Sequence, residues 1–155
     1  MSSERELKIK KIRDGTVIDH ITGGTALTVL RILKISDLEE CTVSVLMNVP
    51  SKKLGKKDVV KIEGRELSIA EVDEIALVAP QTTINIIRNF KLVKKNKVKL
   101  PTFIKEIFKC INPSCISNTQ EPIRSAFHIE EKEPILLKCY YCSAHLGKKD
   151  IIKQF

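Results

Sequence analysis

The sequence lacks several features that mark common classes of protein. Its 155 residues contain no tryptophan, and aromatic residues make up 5% of the chain. No run of apolar residues approaches the roughly 20 that a membrane-spanning helix needs. The chain is charged from residue 4 onward, so an apolar secretion signal is absent from its start. These absences predict a soluble protein of the cytoplasm.

Signatures of catalysis are also scarce. The three histidines, His20, His128 and His145, are not accompanied by a nucleophile at a recognisable spacing. Neither a P-loop nor a Gly-x-Gly-x-x-Gly motif occurs. Asp19 and His20 are adjacent in a predicted strand, where neighbouring side chains point to opposite faces, so we do not expect an acid/base pair. Gly23 and Gly24 precede a predicted helix, and we favour a simple loop there over an anion-binding nest.

By contrast, the chain has an excess of positive charge. Lys and Arg total 27 against 19 Asp and Glu, a net charge of +8, which favours an anionic partner. Residues 1–100 hold 19 basic and 13 acidic residues, whereas residues 101–155 hold 8 and 6. The last third of the chain is close to neutral, so an anion-binding surface is expected in the first hundred residues.

Four of the five cysteines form two pairs with a clear spacing signal. Cys110 and Cys115 have Cys-x4-Cys spacing, Cys139 and Cys142 have Cys-x2-Cys spacing, and 23 residues separate the pairs. Together they supply the four thiolates of a tetrahedral structural Zn²⁺ site. Two disulfides would suit a secreted chain, and a Cys-x-x-Cys redox centre needs a βαβ unit for which too few residues follow Cys142. We therefore favour one zinc ion that holds the segment in shape and has no open position for substrate.

Three other residues of these types receive plainer interpretations. His145 follows Cys142 closely enough to replace a sulfur as ligand, but we interpret it, like His128, as a solvent-facing histidine. Cys41 falls in a predicted strand, and we interpret it as a small buried apolar residue.

The apolar pattern of the first hundred residues predicts an antiparallel sheet with two helices. Strands are predicted at residues 16–21, 41–48, 59–62, 83–87 and 90–93, and helices at residues 26–34 and from residue 69 to Pro80. Residues 50–58 are a basic connection between two strands, and Ser68 with Glu71 forms a capping box at the second helix. This order is that of the ferredoxin-like fold, in which both helices cover one face of the sheet. The other face is then free for a ligand.

The charged residues 94–101, which end in a proline, predict a boundary between two domains, residues 1–99 and 100–155. In the second, residues 126–129, 135–138 and 150–153 are predicted strands of a small all-β, zinc-ribbon-like domain. About 55 residues with few large side chains bury too little apolar surface to fold alone, so we expect the metal to hold this domain together.

Several segments, taken in order, resemble the regulatory chain of aspartate carbamoyltransferase. They are Gly-Thr-Val-Ile-Asp-His-Ile at residues 15–21, Asn-Val-Pro-Ser at 48–51 with Gly-Lys-Lys-Asp at 55–58, Val-Lys-Ile-Glu at 60–63, Ala-Pro-Gln-Thr-Thr-Ile-Asn at 79–85, Leu-Pro at 100–101, and the four cysteines. The resemblance covers nearly the whole chain, and no single generic motif carries it.

The resemblance implies a non-catalytic subunit that controls pyrimidine biosynthesis. Its amino-terminal domain would bind nucleoside triphosphates, with CTP as feedback inhibitor and ATP as antagonist. Its zinc domain would dock on the catalytic chain, and regulatory dimers would join catalytic trimers. By position, the resemblance places the nucleotide pocket on Ile9, Lys10, Ile12, Val17, Asp19, His20, Val59, Lys61, Asn85, Ile87, Leu92 and Lys95.

The implied roles suit the chemistry of the side chains. Lys95 and His20 can bind phosphates, Asp19 and Lys61 can bind ribose or base edges, and the aliphatic residues can enclose the base. Without the resemblance, the two lysines would be interpreted as solvated strand residues and Asp19 as a turn or cap acceptor. In place of a lysine of the family pattern, this chain has Glu6, whose carboxylate would repel phosphate.

Two other hypotheses remain open at the level of sequence. A basic zinc-ribbon protein of transcription or translation would also bind an anion, but its zinc segment should carry more positive charge than this one does. An enzyme in its own right is the less favoured third hypothesis.

Overall fold

The computed structural model of the chain describes residues 11–35 and 40–155, which form two antiparallel sheets and four helices. The first sheet has the strand order β2-β3-β1-β4-β5, made by β1 (Gly15–Thr22), β2 (Val43–Ser51), β3 (Gly55–Glu63), β4 (Thr83–Arg88) and β5 (Lys91–Lys97). The second has the order β6-β7-β8-β9, made by β6 (Phe103–Lys105), β7 (Ala126–Lys132), β8 (Ile135–Cys139) and β9 (His145–Gly147). The helices are α1 (Ala26–Ile32), α2 (Ile69–Val78), α3 (Ile116–Thr119) and α4 (Lys148–Lys153).

The first sheet confirms the predicted ferredoxin-like arrangement, with β5 added at its edge. Ile18, Val60 and Ile62 point to one face and are fully buried, and Val29 of α1 and Ile75 of α2 belong to the same apolar cluster. Alternation along the strands sends the residues between them to the opposite face. That face, away from α1 and α2, is called the open face below.

The two long helices begin in different ways. At α2 the predicted capping box is confirmed, because the Ser68 hydroxyl accepts from the Glu71 amide at 3.2 Å and the Glu71 carboxylate accepts from the Ser68 amide at 3.2 Å. At α1 the residue in the cap position, Thr25, makes no side-chain cap bond. The carboxylate of Asp58 replaces it and accepts from the Ala26 amide at 2.9 Å.

Two predicted connections prove to be largely strand. Because β2 continues to Ser51 and β3 begins at Gly55, the predicted connection at residues 50–58 shrinks to residues 52–54. Likewise β5 runs to Lys97, so the first half of the predicted boundary segment is paired with β4. Both segments are rich in lysine, which suits exposed hairpin tips and edge strands as well as loops.

The second half of the chain departs from the prediction at its carboxyl end. Residues 150–153, predicted as a strand, lie in helix α4, where the Asp150 carboxylate accepts from the Gly147 amide at 3.0 Å and Ile151 is fully buried. The β-branched pair at residues 151–152 favoured a strand, but the cap and the packing of Ile151 determine the helix. The prediction of a buried Cys41 within a strand also differs from the structure. Cys41 is half-buried and lies just before Val43, the first residue of β2.

One apolar cluster continues from the first sheet into the second half of the chain. It includes Ile75 of α2 together with Ile104, Phe108 and Ile151, and α4 packs against α2. Phe108 also meets Phe155 edge to face at 5.3 Å. Within the described ranges, every helix is too short or too polar to cross a membrane.

Candidate metal centre and effector face

The four paired cysteines converge at one point of the second half of the chain. Their sulfurs all lie within 4.8 Å of one another. The Cys110 and Cys142 sulfurs are 3.5 Å apart, and those of Cys115 and Cys139 are 3.7 Å apart. A tetrahedron with metal–sulfur bonds of about 2.3 Å has edges of about 3.8 Å, so this arrangement fits one tetrahedral ion.

Backbone amides surround these sulfurs. The amide of Asn112 donates to Cys110, and that of Ala144 donates to Cys142. Burial raises the pKa of the Cys110 thiol to about 12, and burial also raises the pKa of Cys139. The Ala144 amide lowers the pKa of the more exposed Cys142 to about 7. A bound cation would favour the ionised form of all four thiols, which is the form that ligates metal.

The side chain of Asn118 binds the loop that carries the first pair at two points. The Asn118 amide donates to the carbonyl of Cys110 at 2.9 Å and to that of Asn112 at 2.8 Å. At the second pair, the Cys139 amide donates to the carbonyl of Ala144 at 2.8 Å. These bonds fix two turns, each of which presents two sulfurs toward the same point.

The two histidines of this half lie outside the group of sulfurs. The Nε2 atom of His145 in β9 lies 2.6 Å from a carboxylate oxygen of Glu130 in β7, on the far side of β8. The His128 ring contacts the rings of Phe103 at 4.8 Å and Tyr140 at 5.7 Å. The group of four ligands that the geometry offers therefore consists of cysteines.

A row of predicted pocket residues crosses the open face. In the registers of the first sheet, Val17 pairs with Lys61 on one side and with Asn85 on the other, and Asn85 pairs with Lys95. Residues paired directly across neighbouring strands share a face, so these four side chains stand side by side. The structure thus brings together residues that lie far apart in the sequence.

Asp19 and His20 extend this row through an irregularity of β1. The register shifts between Ile18 and Ile21, and His20 has a positive φ of 57°. The shift places the His20 Nδ1 atom 4.0 Å from an Asp19 carboxylate oxygen, so the expectation that the two side chains face apart is wrong. A bulge overrides strict alternation because it inserts an extra residue.

Asp19 also binds a cation that the sequence analysis did not include. The Lys57 ammonium lies 2.8 Å from its carboxylate, and the His20 amide donates to it at 2.6 Å. Burial by itself would raise the pKa of Asp19, but these two bonds outweigh burial and hold that pKa below its ordinary value. In the sequence, the only indication that Lys57 takes part was its place in the basic segment at residues 50–58.

Two polar atoms of the open face are buried without a hydrogen-bond partner among the described residues. They are Nδ1 of His20 and Oδ1 of Asn85. Buried polar atoms in folded proteins are nearly always paired, and an exception calls for a specific explanation. A bound ligand that supplies the missing donor or acceptor would explain why these two atoms have no partner.

The remaining predicted pocket residues are apolar or lie outside the described part. Ile12 and Val59 are buried, and Leu92 is 54% exposed. Ile87 pairs with Leu92 across the β4–β5 hairpin. The other two predicted pocket residues, Ile9 and Lys10, and the substitution at Glu6, fall outside the residues that the structure describes.

The amino terminus of α1 is not available to an external anion. Asp58 is fully buried there and accepts from the Ala26 amide at 2.9 Å and from the Asn48 amide at 2.8 Å. The preferred interpretation of Gly23 and Gly24 as a plain loop is therefore supported, because the chain's own carboxylate binds at the helix terminus.

Comparison with known proteins finds similarity over nearly the whole chain. The allosteric domain of the aspartate carbamoyltransferase regulatory chain matches residues 7–99, and the metal-binding domain of the same chain matches residues 102–152. The regulatory chain of Methanothrix thermoacetophila is 56% identical over 146 residues, covering 94% of this chain and 95% of its own length. That of Methanosarcina acetivorans is 55% identical over 153 residues, with 97% of both chains covered. That of Methanothermobacter thermautotrophicus is 48% identical over 155 residues, with 100% of this chain and 99% of its own covered. This similarity supports the regulatory-chain hypothesis over a nucleic-acid-binding protein or an independent enzyme.

Proposed function

The chain belongs to the family of aspartate carbamoyltransferase regulatory chains, and from this premise we propose that CTP and ATP bind its open face and control a separate catalytic chain. It is a regulatory, non-catalytic subunit with an allosteric domain and a metal-binding domain. The proposal adds the identity of the effectors, the position of their site and the role of the enzyme in pyrimidine biosynthesis in the cytoplasm.

The observation that carries the effector site is the row of polar side chains on the open face. Lys61, Asn85 and Lys95 lie side by side, and the Oδ1 atom of Asn85 is buried without a partner in the described part of the chain. A base or ribose can pair with Asn85, while the two ammonium groups attract phosphates. We assign the pocket to Ile9, Lys10, Ile12, Val17, Asp19, His20, Val59, Lys61, Asn85, Ile87, Leu92 and Lys95.

Apolar side chains of this set give the base a place to bind. Val59 and Ile12 are buried, whereas Leu92 at the β5 edge is half exposed. Nucleotide sites combine an apolar surface for the base with a few polar groups that fix its orientation. The exposed Leu92 is then available to cover a bound base from the edge of the sheet.

Calorimetric titration of the purified chain with CTP and with ATP tests this site. The variant Lys95→Ala should weaken the binding of both nucleotides, whereas Lys94→Ala should leave it unchanged. Lys94 is the matched control because it pairs with Ile86, whose side chain faces the helices. Absence of heat from both nucleotides with the wild-type chain would refute the proposed effector site.

We propose zinc as the metal and residues 1–99 and 100–155 as the two domains. Four buried or half-buried thiols with tetrahedral spacing suit Zn²⁺, and when bound it would supply a structural cross-link without open coordination. The proposed boundary lies between β5 and β6, where residues 98–102 are outside both sheets.

The second domain is proposed to dock on the catalytic chain. Between the two cysteines of the second pair, Tyr140 is 59% exposed and Tyr141 is 41% exposed, and their rings meet edge to face at 5.2 Å. Ile111, next to the first pair, is 51% exposed. Aromatic residues are enriched at protein interfaces, and the fully buried centre of an interface is more apolar than the rest of the surface.

Metal removal tests the docking proposal. Treatment of the assembled enzyme with a mercurial thiol reagent should displace the metal and release this chain from the catalytic chain, because the cysteine turns hold the exposed aromatic residues in place. Loss of metal from an assembly that stays intact would contradict this coupling. The pairing of two regulatory chains into a dimer is a separate proposal that sedimentation of the free chain can test.

A further inference from the structure

A groove lies at the β5 edge of the first sheet, on the face that carries α1 and α2. It encloses about 400 Å³ between the start of α2 and the strands β4 and β5, and it is called the α2–β5 groove below. Ile84, Ile86 and Arg88 line it in turn, because alternate residues of β4 point to the same face. Asn85, between them, points to the open face, so the groove and the proposed effector site lie on opposite sides of β4.

Most of the lining of the α2–β5 groove is apolar. Seven of its twelve residues are Leu, Ile or Val. Val72 and Ile86 are half-buried and pack against the apolar core cluster. Ile69 in the first turn of α2 is 83% exposed, and Val93 of β5 is 51% exposed. Single exposed apolar residues are ordinary, but a concave group of them that continues into the core indicates a binding site.

The polar part of the lining has an excess of positive charge. Arg88 donates to one Glu66 carboxylate oxygen from Nε at 3.0 Å and from Nη2 at 2.8 Å, so this pair is neutral. Lys94 pairs with Ile86 across the β4–β5 hairpin and therefore shares its face. Neither Lys94 nor Lys97 has an ion-pair partner within 4.0 Å in the described part of the chain. An apolar groove with unpaired cations is complementary to a ligand that has an apolar body and a negative charge.

We propose that the α2–β5 groove binds a small amphiphilic carboxylate, whose apolar chain packs on Ile69, Val72 and Val93 and whose carboxylate binds Lys94. The enclosed volume suits a small molecule, since ligand sites of this kind measure roughly 300–1,000 Å³. A protein partner would need a much larger surface, roughly 1,200 Å² or more in total, and the bordering strand β5 carries four lysines in seven residues. The inference does not depend on the proposed effector site, because the two sites lie on opposite faces of the sheet.

Calorimetric titration of the purified chain with decanoate, and with decanol, which has the same chain but no charge, tests the inference. The wild-type chain should bind one decanoate and should bind decanol about fivefold more weakly, because an exposed ion pair adds little to affinity. The variant Lys94→Ala should lose this preference by binding decanoate about fivefold more weakly, with decanol unchanged. Lys94→Arg should still prefer decanoate.

A second variant tests the apolar contact. Ile69→Ser should bind both compounds about tenfold more weakly, because apolar area that the ligand buries is lost. The matched control is Leu27→Ser, the same kind of change at a residue of α1 that is 57% exposed and lies outside the groove. It should leave both affinities unchanged. Both side chains are mostly exposed, so both variants should fold.

Four results would overturn the inference. The first is the absence of decanoate binding by the wild-type chain. The second is equal affinity for decanoate in the wild-type chain and in Ile69→Ser or Lys94→Ala, which would indicate nonspecific adsorption. The third is displacement of decanoate by CTP, which would place the binding on the open face. The fourth is conversion of a dimer of the free chain into a monomer by Ile69→Ser in sedimentation, since a second copy would then occupy the groove.

Discussion

The buried carboxylate of Asp58 offers a quantitative test of how the first domain is held together. It accepts the Ala26 amide at the start of α1 at 2.9 Å and the Asn48 amide in β2 at 2.8 Å. In Asp58→Ala, the Ala26 amide is left buried without a partner, whereas the exposed Asn48 can turn to water. A hydrogen bond to a charged group contributes roughly 1.5–3 kcal/mol, and charge at a helix amino terminus contributes about 0.3–1 kcal/mol. We expect Asp58→Ala to lower the free energy of unfolding by about 3 kcal/mol.

Urea denaturation followed by circular dichroism measures this loss. The matched control is Glu66→Ala, which removes a carboxylate that lies 2.8 Å from Arg88 but is 51% exposed. An exposed ion pair contributes about 0–1 kcal/mol, so the control should unfold at nearly the wild-type urea concentration. The dependence of unfolding free energy on urea should stay the same in both variants. A loss in Asp58→Ala no larger than that in Glu66→Ala would refute the reasoning.

Two further predictions concern the metal and the effect of pH. The variant Cys115→Ser should lose the metal and unfold the second domain. The control Cys41→Ser, which lies outside the group of four cysteines, should retain one metal ion per chain when metal content is measured by atomic absorption. Equal metal contents in the two variants would contradict the assignment of the ligands. Burial raises the pKa of Glu74 above its ordinary value of 4.5. Because the pKa of Glu74 is higher in the folded chain than in the unfolded chain, protonated Glu74 contributes to the free energy of unfolding. This contribution is fully present below the unfolded-state pKa and is lost as the pH rises through the folded-state pKa. Glu74→Gln should therefore gain stability over the wild type in urea unfolding at about pH 7 but not at about pH 4, and an equal effect at both values would contradict this assignment.

Local sequence patterns predicted those features whose cause is local. The capping box of Ser68 and Glu71 needs only residues three apart, and the structure forms both of its bonds. The spacing of each cysteine pair likewise sets how closely two sulfurs can approach, and the four sulfurs meet as the spacing suggested. The β-branched residues at 16–21 and 59–62 likewise predicted strands, and both segments lie in strands, β1 and β3.

The features that the sequence analysis missed depend on contacts between distant residues. The bulges that give positive φ to His20 and Asn48 adjoin the buried Asp58, and local propensity does not predict such a group of contacts. Helix α4 forms where a strand was expected, because Ile151 is buried in the core and Asp150 caps the helix.

The central claim is that a nucleotide on the open face controls a separate catalytic chain. The most direct measurement is the aspartate saturation curve of the assembled enzyme, with and without CTP, for the wild-type chain and for Lys95→Ala. Because an effector must bind two states of the assembly with different affinities, CTP should shift the aspartate concentration that gives half-maximal velocity, and Lys95→Ala should reduce that shift. Superimposable curves with and without CTP, in an assembly that calorimetry shows to bind CTP, would contradict the claim.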